Sequence, residues 1–195
     1  MKNNIRSSQS AQVSLGSPTS LWAQDDVSLI KASQHRDQEA FALLVRKYQR
    51  PIFTLAFYIL QDAEEASILT QETFLAAWKA LPLLPRDAPF SLWLLRLTYQ
   101  QCIQQQKQQT PGQGWQSKWH ATYRQERRSQ QTTIEREDLS MLPTISRVVL
   151  ILRYLQALTY EEIALVLSLP IRTVKAHLFR ARTFLNEQGQ SRQQR

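Results

Sequence analysis

Glycine occupies only four positions of this 195-residue chain: Gly16, Gly112, Gly114 and Gly189. Two long stretches, 17–111 and 115–188, have none. Tight hairpins, phosphate-binding loops and dinucleotide fingerprints all need glycine, for positive φ or for close backbone approach. Glycine-free stretches suit long helices instead. The four glycines outline two modules, and the length agrees, since units of about 60 to 70 residues lie near the lower limit for an independent core. A hydrophobic content of 43% with 21% charged residues is globular rather than disordered. No apolar run approaches the ~18 residues of a membrane span, so membrane insertion is not expected. The N-terminus places Lys2 and Arg6 among Asn, Ser and Gln, without the apolar stretch of a secretory signal, which points to the cytoplasm.

Chemistry-bearing residues are sparse. The single cysteine, Cys102, cannot form an internal disulfide, and His35, His120 and His177 have no metal-ligand spacing to it or to each other. Glu64, Glu65 and Glu72 have no partner histidine, lysine or metal motif, so they read as helix-start electrostatics and a protein interface rather than as catalytic acids. Neither a Ser/His/Asp constellation nor a phosphate loop is discernible. These readings exclude an enzyme, a metal site and a bound cofactor.

Charge is distributed unevenly. The net +8 is concentrated at the C-terminal end, where 141–195 holds eight basic and three acidic residues, whereas 37–99 holds six and seven. That asymmetry favours one nucleic-acid-facing module attached to something else over a uniformly cationic membrane coat.

The first module spans 26–107, after a Ser-, Gln- and Asn-rich segment 1–25 that reads as a flexible tail. A short helix is expected from Asp26 to Gln34. Phe41, Leu44, Val45, Tyr48, Ile52, Leu55, Ala56 and Ile59 then mark one buried helical stripe, with a kink or break expected between Arg50 and Pro51. Asp62 can cap a second helix that runs through Leu69, Phe74 and Trp78 to about Leu81. Pro82, Pro85 and Pro89 interrupt the chain, and Asp87 can cap a third helix starting near Phe90. Trp78 and Trp93 sit at core positions of these helices. From Gln104 the polar run to Gly114 reads as the start of a linker that covers 108–138. Within it Trp115, Trp119 and Tyr123 recur every four residues, the pattern of a short docking helix or of transient order only.

The second module, 139–188, carries the sharpest signals. Ile145, Val148, Val149, Leu152 and Leu155 form one helix. Thr159 and Glu162 then make a capping box for a short helix from Tyr160 to Leu167. Ser168-Leu169-Pro170 breaks it, and a longer helix begins near Ile171, with Ile171, Val174, Leu178, Ala181 and Leu185 on one side. Short helix, three-residue turn and longer helix make a helix-turn-helix. At about 100° per residue, Arg172, Ala176, Phe179, Arg180 and Thr183 lie opposite the buried stripe, with Lys175 and Arg182 on its flank. Such a face can enter a major groove. The fold class is therefore all-α, two small helical bundles joined by a flexible linker, with a C-terminal tail at 189–195.

The order of these pieces resembles the extracytoplasmic-function (ECF) group of bacterial sigma factors. Leu142-Pro143, Arg147 to Tyr154, Leu158 to Ala164 and Thr173 to Arg182 resemble the family's region 4, which binds the −35 promoter element and the polymerase beta flap. Asp37 to Phe41, Tyr48 to Pro51, Gln71 to Trp78 and Pro89 to Leu94 resemble region 2, which docks on the beta-prime clamp helices and melts and reads the −10 element. The resemblance implies −35 contacts from Arg172, Thr173, Lys175, Ala176, His177, Phe179, Arg180 and Arg182. It implies −10 contacts from Arg96, Tyr99, Gln100, Gln104 and Lys107, and polymerase contacts from Glu64, Glu65, Gln71 and Glu72. Core RNA polymerase, promoter DNA and an anti-sigma factor are the implied partners.

Several positions depart from the family pattern. Ser67 and Ile68 stand where acidic residues are usual, which implies reduced clamp affinity. Glutamines 100, 101, 104, 105 and 106 replace a basic run, which implies fewer phosphate contacts. Ala157 replaces a usual glycine and His177 a usual arginine. The alternative function is a helix-turn-helix regulator, or a polymerase-binding accessory protein, that has lost initiation activity.

Overall fold

The computed structural model describes residues 26–85, 88–108 and 139–193, all in helices and short connections. The segments 1–25 and 109–138, with the expected tail and linker and the Trp115/Trp119/Tyr123 pattern, lie outside the described residues, as does the Asp87 cap. Among the described residues the α-helices with both ends described are, in order, α1 (Asp26–Gln34), α2 (Gln38–Leu60), α3 (Ala63–Ala80), α4 (Phe90–Gln108), α5 (Thr144–Tyr154), α6 (Tyr160–Leu167) and α7 (Ile171–Gln193).

The caps follow from the sequence. The Asp37 carboxylate accepts the amides of Glu39 and Ala40 at 2.9 and 3.0 Å, starting α2. Asp62 does the same for α3, accepting from Glu64 and Glu65, both at 2.9 Å. Between α2 and α3, Gln61 takes the left-handed conformation (φ 60°) and its amide bonds back to the Phe57 carbonyl at 2.8 Å. Of the kink or break expected at Pro51, the break does not occur: the helix runs from Gln38 to Leu60. Tyr48, Ile52, Leu55 and Ala56 are all buried around it. Their burial, about 1.5 to 3 kcal/mol for each large side chain, outweighs the ~3 kcal/mol cost of one interior proline.

Two helix ends also extend past their expected limits. The polar run from Gln104 does not start a linker at once, because α4 continues to Gln108. Glutamine is a good helix former, and Gln106 Nε2 donates to the Ile59 carbonyl at 3.0 Å, tying the last turn to the end of α2. Likewise α7 continues to Gln193, where 189–195 was expected to be a tail.

Asp26 anchors α1. It is buried, accepts from Lys47 Nζ at 2.7 Å and also accepts the Tyr48 hydroxyl. Burial, and then the Asp26 carboxylate itself, push the Tyr48 phenol far above its ordinary pKa, so it stays a donor. A comparable staple holds the second bundle. Arg147 is only 4% exposed, and its guanidinium donates to the carbonyls of Leu139 and Ser140 at 3.2 and 3.1 Å, folding the segment before α5 back onto that helix. Burial lowers its pKa.

The two bundles meet. Helix α5 packs on α2, and α6 packs on α4. Val148, Val149 and Leu152 belong to the same buried cluster as Leu44, Ile52 and Leu94. On the other side of α5, Leu150 joins Leu142 and Ala181 in a smaller cluster with α7. Five consecutive residues of α5, Val148 to Leu152, are therefore buried, and at about 100° per residue they cover its whole circumference.

Candidate nucleic-acid interface

The helix-turn-helix forms as its sequence dictates. Glu162 N donates to Thr159 Oγ1 at 3.2 Å and Thr159 N donates to Glu162 Oε2 at 2.7 Å, completing the capping box of α6. Ser168 ends α6 in the left-handed conformation (φ 54°), and the Pro170 carbonyl then accepts the amides of Thr173 and Val174, opening α7.

Val174, Leu178 and Ala181 fix one side of α7 against α5 and α6. Arg172, Ala176, Phe179, Arg180 and Thr183 are all exposed on the opposite side. Phe179 is 71% exposed, an aromatic ring on the same face as Arg172 and Arg180. Ile171, expected in the buried stripe, is exposed, and so is Leu155 beyond the end of α5.

The edges of this face are tied down. On one edge His177, expected as a surface or DNA-facing residue, is half-buried with its Nδ1 3.1 Å from Ser146 Oγ of α5. Burial and then the nearby Arg180 lower its pKa, favouring the neutral imidazole. On the other edge, Lys175 Nζ lies 5.5 Å from the ring centroid of Tyr160, and Arg182 Nε donates to the Tyr154 hydroxyl at 2.6 Å. Thr173 is half-buried.

In the first bundle, Arg96, Gln100, Gln104 and Lys107 are exposed along one side of α4, and Tyr99 is half-buried beside them. Burial raises the Tyr99 phenol, which stays protonated at neutral pH. Two glutamines of the same run are taken up internally: Gln101 Oε1 accepts the Thr73 hydroxyl, and Gln106 bonds to Ile59. On α3, Glu64, Gln71 and Glu72 are exposed, together with Ile68 and Leu75. Glu65 is not on this surface. It is 7% exposed and shares the inward stripe of Leu69 and Thr73, four and eight residues on, a spacing already present in the sequence. Among the described residues no group of three or more potential ligands could hold a metal ion, and no helix is long and apolar enough to cross a membrane.

Comparison with known proteins matches this arrangement. Residues 44–111 match the model for sigma-70 region 2, and residues 137–185 match that for sigma-70 region 4. The RNA polymerase sigma-H factor of Pseudomonas aeruginosa is 30% identical over 183 residues, spanning 86% of this chain and 95% of that protein. The chain belongs to the ECF sigma factors. The ECF RNA polymerase sigma-E factor of Escherichia coli K12 is 28% identical over 181 residues, 85% of this chain and 94% of that protein. Among solved structures, CnrH in complex with the cytosolic domain of CnrY superposes with a TM-score of 0.65 at 23% identity, covering 85% of this chain and 97% of that one. RpoE of Bartonella quintana, solved with the anti-sigma factor NepR, gives a TM-score of 0.60 at 18% identity, covering 75% and 94%. Both show the fold.

An ECF sigma factor recognises promoters together with RNA polymerase, and its family is one of non-catalytic initiation factors. For this sigma factor, sequence reasoning located the outward face of α7 but missed what restrains its edges. Ser146, Tyr154 and Tyr160 carry no signature of their own, since their partners lie 15 to 31 residues away.

Proposed function

We propose that α7 reads the −35 element, with Arg172, Phe179 and Arg180 reaching base edges, Thr173, Ala176 and Thr183 beside them, and Lys175 and Arg182 on phosphates. Arginine suits guanine and an exposed phenyl suits the thymine methyl group. The −10 element is engaged by α4 through Arg96, Tyr99, Gln100, Gln104 and Lys107. Glutamine amides hydrogen-bond bases and the tyrosine ring stacks on one, while the cations Arg96 and Lys107 meet phosphates. The beta-prime clamp helices dock on the α3 face that carries Glu64, Gln71 and Glu72, and the beta flap meets the second bundle. Residues 26–107 and 139–188 act as the two functional domains, with 108–138 joining them along the polymerase. The work is done in the cytoplasm, without catalysis by the chain itself. An anti-sigma factor binds it, as NepR is bound to the RpoE of Bartonella quintana in their co-crystal structure.

The observation that carries this reading is the face of α7: two arginines and a phenyl ring, exposed together and left uncovered by the packing of the two bundles. The test is run-off transcription with purified core polymerase on promoters mapped from transcript starts after overexpression. Promoter-specific transcripts that vanish in the Arg172→Ala/Arg180→Ala variant are expected. Unchanged transcription from that variant would overturn the assignment of α7.

A further inference from the structure

Two cations converge on the ring of Tyr160. Arg153 Cζ lies 5.0 Å and Lys175 Nζ 5.5 Å from its centroid, and Arg153 is itself fixed by donating to the Leu158 carbonyl at 2.7 Å. A second tyrosine, Tyr154 at the last position of α5, holds one cation. Arg182 Nε donates to the Tyr154 hydroxyl at 2.6 Å, which holds the guanidinium at the hydroxyl edge of the ring with Cζ 5.4 Å from the centroid. Lys175 and Arg182 are seven residues apart on α7, so they leave the helix on the same side, about 10 Å apart along its axis. The base-facing residues Arg172 and Phe179 lie beside them.

The chemistry of the restraint matters. A carboxylate would position a cation and also cancel its charge, leaving little for an incoming phosphate. A neutral tyrosine restrains the side chain through its ring quadrupole, at Tyr160, or through its hydroxyl, at Tyr154, and leaves the full charge in place. We infer that Tyr154 and Tyr160 are positioning residues for promoter binding, holding Arg182 and Lys175 as two preset positive charges for the phosphates of one strand. The inference rests on the reading of α7 as the −35 helix. Ordering these long side chains before DNA arrives removes that cost from the binding step.

The experiment uses the full chain bound to core polymerase and a duplex enriched by this holoenzyme from a random library, with affinity followed over a potassium chloride titration. Lys175→Ala and Arg182→Ala should each reduce the slope of log affinity against log salt by about 1. Tyr160→Leu should weaken binding by about three- to tenfold at unchanged slope, and Tyr160→Phe, which keeps the ring, should bind like the parent. The decisive readout is the double variant: Tyr160→Leu/Lys175→Ala should bind no more weakly than Lys175→Ala alone. Additive losses in that pair, or parental affinity of Tyr160→Leu, overturn the inference. Should Tyr160→Leu fail to fold, Tyr154→Leu with Arg182→Ala provides the same cycle at an exposed ring. Parental binding by Arg172→Ala/Arg180→Ala would overturn the α7 reading and this inference with it. Loss of binding in that variant with additive tyrosine cycles overturns the inference alone.

Discussion

The side-chain amide of Gln156 donates to the main-chain carbonyl of Pro51 over 3.3 Å, joining residues 105 positions apart. Gln156 lies in the corner that follows α5, and Pro51 lies in the middle of α2. The contact lies where the region 4 bundle packs on the region 2 bundle, and Val148, Val149 and Leu152 belong to the buried cluster that the two bundles share. Truncating Leu152 to alanine should therefore cost about 2 to 5 kcal/mol. It should also speed amide hydrogen exchange in α2 and α4, not only in α5. Exchange altered in α5 to α7 alone would show that the halves unfold independently.

Asp26 serves two partners at once, Lys47 and the Tyr48 hydroxyl. Asp26→Ala leaves the buried phenol without its acceptor and removes the tie between α1 and α2. A loss of about 1 to 3 kcal/mol is expected in urea unfolding. The Asp26→Asn variant keeps an acceptor and should lose less.

Ala157 has φ 54°, in the left-handed region where a Cβ is unfavourable. The corner needs that conformation, because the Leu158 amide must return to the Leu152 carbonyl at 3.0 Å to close α5. Ala157→Gly should raise stability by about 0.5 to 1 kcal/mol, moving the urea midpoint without changing the slope. An unchanged or lower midpoint would show that the strain is relieved elsewhere.

The legibility of this fold follows the range of its interactions. Caps and breaks act within four residues, so Asp62, the Thr159/Glu162 box and Ser168-Leu169-Pro170 could be read directly from the chain. Pro51 left a break open as one outcome because a proline's local cost is visible in sequence, whereas the burial of Tyr48, Ile52 and Leu55 that offsets it depends on the rest of the fold. The outward face of α7 was legible from its period. Its edges were not, because Ser146, Tyr154 and Tyr160 reach it only through folding. Glu65 is an intermediate case: its acidity suggested a surface role, yet its spacing to Leu69 already placed it inside.

His177 gives the protein a mild pH dependence. Burial and then Arg180 hold its folded pKa below the unfolded value, so the unfolded state binds the proton more readily. The neutral ring's full stability is present above the unfolded pKa, ordinarily about 6.5, and declines as pH falls from there toward the folded pKa. Thermal melting between pH 7.5 and 5.5 should fall more steeply for the parent than for His177→Asn. Parallel profiles would remove His177 as the source.

The stretch of α5 from Ser146 to Leu152 has no outward side. A stretch of helix buried around its whole circumference cannot rotate to relieve a substitution, so Val148 to Leu152 should tolerate only exchanges that keep volume. The same geometry bears on how the chain must be handled. Whenever the halves part, Val148, Val149 and Leu152 reach water together, each forgoing about 1.5 to 3 kcal/mol of burial. A chain held open without a replacement surface would then be short of solubility rather than of fold, and would be stickiest while it is changing partners.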